Sequence, residues 1–289
     1  MTALIPVLLV TALGVLVVAG TAGVGAMLLG ARAPEPVAVG VGRTAPPPRA
    51  VIPAMVGWAL VAALGLLAVA LLLRAAAAGH APWSNLHEFS IAFAATLVGC
   101  HLALARSYPI AGLGPLVALL AAGLVGFGLG RDDSIEPLMP ALQQPLLLTV
   151  HVGSAVAAYA VAGIAFLAAL AELGQRAAAD RIPMLPSAAL SRIVTHRAVL
   201  IGFPILTIAI VLGSVWANLA WRSYWSNDPK ELAAAATWLV FGAYLHVAGR
   251  RDRLAALAPW LVVLGFAGVL FTFIGAGLFI VGEHSYGAG

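Results

Sequence analysis

Charge is scarce in this chain. Asp, Glu, Lys and Arg make up 9% of its 289 residues, against about 25% in an ordinary soluble domain. With 62% hydrophobic residues and a mean hydropathy of +1.03, that deficit excludes a soluble globular enzyme and a disordered tail. Cysteine is nearly absent as well. The single Cys100 lies inside an apolar run, so there is no disulfide framework and no Cys-x-x-Cys pair, and the chain carries no dithiol chemistry of its own. Cys100 reads as a small packing residue. Lysine is represented once, by Lys230, among 15 basic residues. In a soluble protein the net charge of +4 would raise nucleic acid as a partner. Here the arginines fall in short segments between apolar runs, so they are read as topology signals, with no nucleic-acid partner.

What the sequence does have is apolar length. Hydropathy places eight helices near 4–30, 51–78, 89–105, 109–130, 146–171, 198–218, 232–249 and 255–281. The expected fold is therefore all-α, a polytopic membrane helix bundle of about eight transmembrane helices. The first run is not read as a secretory signal, because no Arg or Lys precedes it and it is too long. The stretch 31–50, with Arg32, Arg43, Arg49 and Pro46-Pro47-Pro48, reads as an extended linker. It divides the chain into an N-terminal helix with linker (1–50) and a membrane domain (51–289). Alternate loops (31–50, 106–108, 172–197 and 250–254) hold 11 of the 15 basic residues. That bias assigns them to the cytoplasm and puts both termini on the non-cytoplasmic side.

Chemistry is then expected on the non-cytoplasmic face. The external loop 216–231 gathers Trp216, Trp221, Tyr224 and Trp225, three of the seven tryptophans and one tyrosine within ten residues. An interfacial aromatic belt would account for them; so would a set of flat faces for stacking a flat apolar ligand. The loop ends in Asp228-Pro229-Lys230-Glu231, in which Asp at N-cap, Pro at N1 and Glu at N3 predict a capped helix start. His151 opens the fifth span and His284 follows the eighth, at the same level as the aromatic loop. Either alone reads as a satisfied interfacial residue. Together, beside a stacking platform, they suit axial ligation of haem iron from opposite faces. His246 stands 18 residues beyond Asp228, about 27 Å along a helix at 1.5 Å per residue. It therefore marks a second, inner site rather than the outer one. His101 lies at a similar depth and could be its companion, but is rather expected to be a packing histidine bonded to a neighbouring helix. His196, beside Arg197, is expected in a cytoplasmic loop.

These residues resemble a known family. The stretch 216–231 is similar to the tryptophan-rich WWD signature of haem-handling membrane proteins, and Ser-Asn-Asp-Pro-Lys-Glu at 226–231 resembles the CcsA/ResC type of system II cytochrome c biogenesis. The segment Pro82-Trp83-Ser84-Asn85-Leu86-His87-Glu88 resembles that family's Ser-Asn-Leu-Tyr-Glu loop, with His87 where Tyr is usual. Where the family usually reads Trp-Gly-Ser-Tyr-Trp-Ser-Trp-Asp, this chain has Arg222 at the Gly and Asn227 at the last Trp. The lost stacking face is worth roughly 1–3 kcal/mol in other aromatic sites, and Arg222 could offset part of it by stacking or by pairing with a propionate.

The resemblance implies a subunit of a cytochrome c haem lyase (synthase) complex in a cell membrane, either a bacterial plasma membrane or a thylakoid. It implies haem b as substrate, a ResB-like membrane partner, and an apocytochrome c bearing Cys-x-x-Cys-His. His151 and His284 would hold haem at an outer site on Trp216, Trp221, Tyr224 and Trp225, next to Asp228. His246 would hold it at an inner one. The rival readings are a haem exporter or chaperone without attachment activity, and a transporter of an unrelated substrate.

Overall fold

The computed structural model describes residues 2–30, 48–135, 145–250 and 253–276. Most of the linker expected at 31–50 and all of the tail carrying His284 lie outside the described residues. Among the described residues there is no strand, and eight helical segments are long and apolar enough to cross a membrane. They are built on α1 (Leu4–Gly30), α2 (Pro48–Ala78), α3 (Leu86–Leu104), α4 (Gly114–Leu129), α5 (Pro145–Ala177), α6 (Ala188–Trp221), α7 (Pro229–Ala248) and α8 (Ala258–Leu270), with adjoining tighter or wider turns extending the fourth segment to Ala111–Leu129 and the eighth to Arg253–Gly275. The chain is a membrane-spanning helix bundle. Its two ends differ in chemistry: one carries the aromatic loop, the other most of the arginines.

The helix starts follow from caps that hydropathy does not see. The Asn85 side chain accepts the Glu88 N–H at 2.9 Å, which starts α3 at Leu86 rather than at 89. Ser187 accepts the Leu190 N–H at 3.3 Å and starts α6 at Ala188, ten residues before the expected 198. This first part of α6 is rich in Ser191, Arg192, Thr195, His196 and Arg197, so no apolar window reports it. His196 is accordingly on a helix, not in the loop expected for it.

α5 lies at the centre, packed on α3, α6 and α8, while α1 packs on α2 and α4, and α7 on α8 and α6. The apolar windows of α3, α4 and α5 are 61–72% buried, whereas the other five reach no more than 33%. Their outer faces stay apolar and exposed, as with Trp58 and Leu72, because lipid is as apolar as the side chains it meets. Small residues permit close approach: a Cβ on Gly23 of α1 would sit 2.4 Å from Pro115 of α4.

Buried charges are paired, as a low-dielectric interior demands. Arg74 of α2 donates from Nε to Glu88 Oε1 at 2.6 Å, and from its terminal nitrogen to the Ser134 carbonyl at 3.0 Å. The other Glu88 oxygen accepts the N–H and the hydroxyl of Ser84, both at 2.7 Å. The Ser-Asn-Leu-His-Glu segment is thus a helix cap joined to a buried ion pair. His87 extends the same construction, with Nδ1 2.9 Å from the Gly128 carbonyl at the end of α4. At the arginine-rich end, Glu172 of α5 lies between Arg176 and Arg192.

Candidate functional site

At the aromatic end the starts of α3, α5 and α7 converge with the ends of α6 and α8 around a cavity of about 200 Å³. His151 lines it. The His151 Nδ1 stands 2.9 Å from the Ala209 carbonyl of α6. A carbonyl oxygen only accepts, so Nδ1 carries the hydrogen, which in a neutral ring leaves the lone pair on Nε2, the tautomer of a typical iron-binding histidine. The ring lies over Gly213, where a Cβ would come within 2.6 Å of its Cε1. On its other flank it is near parallel to Trp216, with centroids 6.1 Å apart and planes at 13°. Three groups on one helix, a carbonyl, a missing side chain and an indole, therefore fix one imidazole.

The cavity walls are mostly apolar, with Phe89, Leu148, Val152, Leu206 and Ile210 among them. Tyr224, Trp225, Lys230 and Glu231 come from the loop and the start of α7. Trp83 also lines the cavity, and its buried Nε1 has no hydrogen-bond partner among the described residues. A buried indole N–H of this kind calls for an acceptor. After α8 the backbone makes a π-turn at Phe271–Gly275. It delivers two consecutive residues, Thr272 and Phe273, to the cavity wall, and π-turns recur at functional sites. Phe273 stacks on Phe89 at 5.0 Å and meets Phe93 and Phe127 edge-on, each at 5.8 Å.

The aromatic loop is held by its own polar side chains. Ser214 donates to the Tyr224 carbonyl at 2.8 Å, tying the loop back to α6. The Asp228 carboxylate accepts the Lys230 N–H at 2.8 Å and Glu231 accepts the Asp228 N–H at 3.2 Å, so the predicted capping box is present. Glu231 also takes the Ser226 N–H at 2.8 Å. Arg222 ends α6 with a left-handed backbone, φ +62°, donating its N–H to the Asn218 carbonyl. Asn227 has φ +60°, and its side chain accepts the Trp225 Nε1–H at 2.9 Å.

A sequence profile of the family described as cytochrome C assembly protein matches residues 83–284. The chain belongs to that family. It is 35% identical to the cytochrome c biogenesis protein CcsA of Parasynechococcus marenigrum (strain WH8102), over 77% of this chain and 83% of that protein. The CcsA of Synechococcus sp. (strain CC9605) is 36% identical over 79% of this chain and 85% of its own length. That of Guillardia theta is 31% identical over 72% and 77%. The matched region begins at Trp83 and takes in the whole cavity wall, the aromatic loop and the π-turn.

Within this member of the cytochrome c assembly family, the residues expected from sequence fall into four groups. His151, Trp216, Tyr224 and Trp225 meet in the cavity. Trp221 and Asp228 support it from outside: Trp221 sits edge-on to the buried Trp216 at 4.9 Å, and Asp228 caps α7. His246 lies elsewhere, on an exposed face near the far end of α7. His284 lies outside the described residues. His101 is buried on α3, and its Nδ1 has no hydrogen-bond partner among the described residues, unlike the bonded packing histidine expected there. Sequence reasoning missed Gly213, Phe89, Thr272 and Phe273. Only Gly213 left a trace, as a glycine three residues before Trp216.

Arg222 and Asn227 gain a local explanation. Both stand at left-handed positions, where a glycine is favoured and Asn is the best tolerated side chain. A glycine would meet this backbone requirement without strain at position 222, where Arg222 meets it at a cost of about 1–2 kcal/mol.

Proposed function

We propose that this chain is the haem-handling membrane subunit of a system II cytochrome c synthase, and that the cavity beside His151 is its outer haem site. The observation that carries the reading is the socket of His151. Its Nδ1 is committed to the Ala209 carbonyl, so Nε2 is the ligating nitrogen, and it belongs to a cavity walled by Trp216, Trp225 and Phe89. A porphyrin needs a metal ligand, flat apolar walls and donors for its carboxylates. The Trp83 N–H is a donor that this cavity offers, and Lys230 adds a basic residue to its lining. Membership of the cytochrome c assembly family and eight membrane-crossing helices support the same reading.

In this proposal haem b reaches the inner leaflet side near His246, moves outward, and is held at the outer site by His151 and His284. A ResB-like partner completes the inner site. The apocytochrome presents Cys-x-x-Cys-His at the exposed edge. Each thiol adds across one vinyl double bond: a C–S bond forms, the hydrogen goes to the neighbouring vinyl carbon, and nothing is oxidised. The protein contributes position and exclusion of water. Its membrane would be a bacterial plasma membrane or a thylakoid.

Co-expression with a ResB-like protein and an apocytochrome, in cells without other maturation machinery, tests this. Covalent haem staining of the cytochrome is expected. Haem bound to this chain with no labelled cytochrome would reduce the role to carriage, and no haem in either would reject the reading.

A further inference from the structure

At the arginine-rich end a second cavity, of about 400 Å³, lies between the end of α5, the start of α6, the end of α7 and the start of α8. Its polar lining is Glu172, Arg192, His196, Arg197 and Tyr244. Glu172 is 2% exposed and already holds two guanidinium groups, those of Arg176 and Arg192. Arg197 enters no ion pair among the described residues. Two guanidinium groups, Arg192 and Arg197, thus line the cavity beside one carboxylate that Arg176 also pairs with, and the surplus is cationic. The Tyr244 hydroxyl is 3.4 Å from His196 Nδ1, and with one proton shared inside that pair it adds one further outward donor. Beside these, Ile193 and Leu200 line the same cavity and are 50% and 43% exposed. The cavity therefore joins a cationic head region to an apolar flank at the end of the spans.

That is the chemistry of a phospholipid headgroup site. Basic pockets between membrane helices at this level take anionic headgroups, and planar guanidinium groups suit phosphate oxygens in pairs. We propose that this cavity binds the phosphate of an anionic membrane phospholipid, with Arg192 and Arg197 on the phosphate and the first carbons of an acyl chain along Ile193 and Leu200. The site is independent of the haem reading. It lies at the opposite end of α5 and α7 from the His151 cavity, and exposed His246 is not part of its lining.

The test is lipid retention by the full chain in a mild non-ionic detergent, read by native mass spectrometry after incubation with phosphatidylglycerol or phosphatidylcholine. About one phosphatidylglycerol per chain should be retained, and phosphatidylcholine should be washed away. Arg197→Gln, which breaks no ion pair, should lower retention about fivefold, and Arg192→Gln with Arg197→Gln further still. Arg197→Lys should recover part of the loss. Arg106→Gln, an exposed arginine outside the cavity, should behave as wild type. Equal retention of both lipids, unchanged retention in the Arg197→Gln and double variants, or loss in Arg106→Gln would overturn the proposal. So would displacement of the lipid by millimolar inorganic phosphate or by haem, which would assign the cavity to a soluble anion or to the substrate.

Discussion

His151 and His246 make an instructive pair. Each stands near a helix end, and each is an iron-ligand candidate from sequence. The fold treats them oppositely. His151 is clamped by a carbonyl, sits on a glycine and lies along an indole, all three from α6. His246 is exposed, on a helix whose buried residues are Thr237, Phe241 and Tyr244, and it lines none of the described cavities. One histidine has its supporting groups within this chain. The other presents a polar group on a surface that, within a membrane, asks for contact with another chain. The difference separates an imidazole seated by its own chain from one left exposed on its helix.

The sharpest way to break that contrast is to remove each imidazole in turn. His151→Ala should strip haem from the purified chain to background and stop holocytochrome formation, with partial rescue by exogenous imidazole. The deficit should exceed the roughly 10- to 100-fold that follows loss of a supporting group around a metal ligand. His246→Ala should leave haem in the isolated chain unchanged and lower it only in the complex with a ResB-like partner. Absorption spectra and haem staining of both preparations give the answer. Equal losses in the isolated chain would erase the distinction.

A subtler blow leaves His151 in place and disturbs its seat. Gly213→Ala puts a methyl 2.6 Å from the imidazole Cε1, so the ring must move. Haem affinity should fall about 10- to 100-fold, as for other changes in the groups that orient a ligand. The same change raises helix propensity by about 0.5–1 kcal/mol, so thermal stability in detergent should hold or rise. Weaker haem binding with undiminished Tm locates the effect in ring position. Loss of both would indicate a general packing defect.

Why part of this was legible beforehand is a matter of period and range. Eight apolar runs report eight spans because the bilayer imposes length and composition directly. The Asp228 capping box is equally local: three residues in sequence carry the whole signal. The starts of α3 and α6 were displaced because Asn85 and Ser187 act through single hydrogen bonds that no hydropathy window registers. The cavity itself needed contacts between segments far apart. Gly213 matters only because α5 brings His151 over it, and Thr272 and Phe273 share a wall only through a π-turn. His196 shows the same limit: its neighbours Tyr244 and Glu172 belong to two other helices.

Trp225 and Trp221 sharpen the comparison at the next level down, ligand wall against support. Trp225 lines the cavity and is 42% exposed, so its face is open on one side. Trp225→Ala should weaken haem binding by about 1 kcal/mol, the low end for a stacked aromatic, without changing Tm. Trp221→Ala acts on the buried Trp216 it abuts, and should lower Tm together with affinity. Haem titration and thermal unfolding of the two variants distinguish these outcomes. An identical response in both would mean that the loop works as one packed unit.

The smallest expected effect concerns Arg222. Its φ of +62° carries a steric penalty that glycine does not, and its N–H is already used to close α6 on Asn218. Arg222→Gly keeps that bond and removes the penalty, so stability should rise by about 1 kcal/mol, partly offset by the extra chain entropy glycine brings to the unfolded state. Haem affinity supplies the second readout. If the guanidinium serves only as a cap residue in an awkward conformation, affinity stays level while Tm rises. If it meets a haem propionate, affinity falls by the few-fold appropriate to an exposed charge-assisted contact, and the fall weakens with added salt. The variant thus separates the backbone role that the αL geometry establishes from the ligand role that the guanidinium's chemistry would permit.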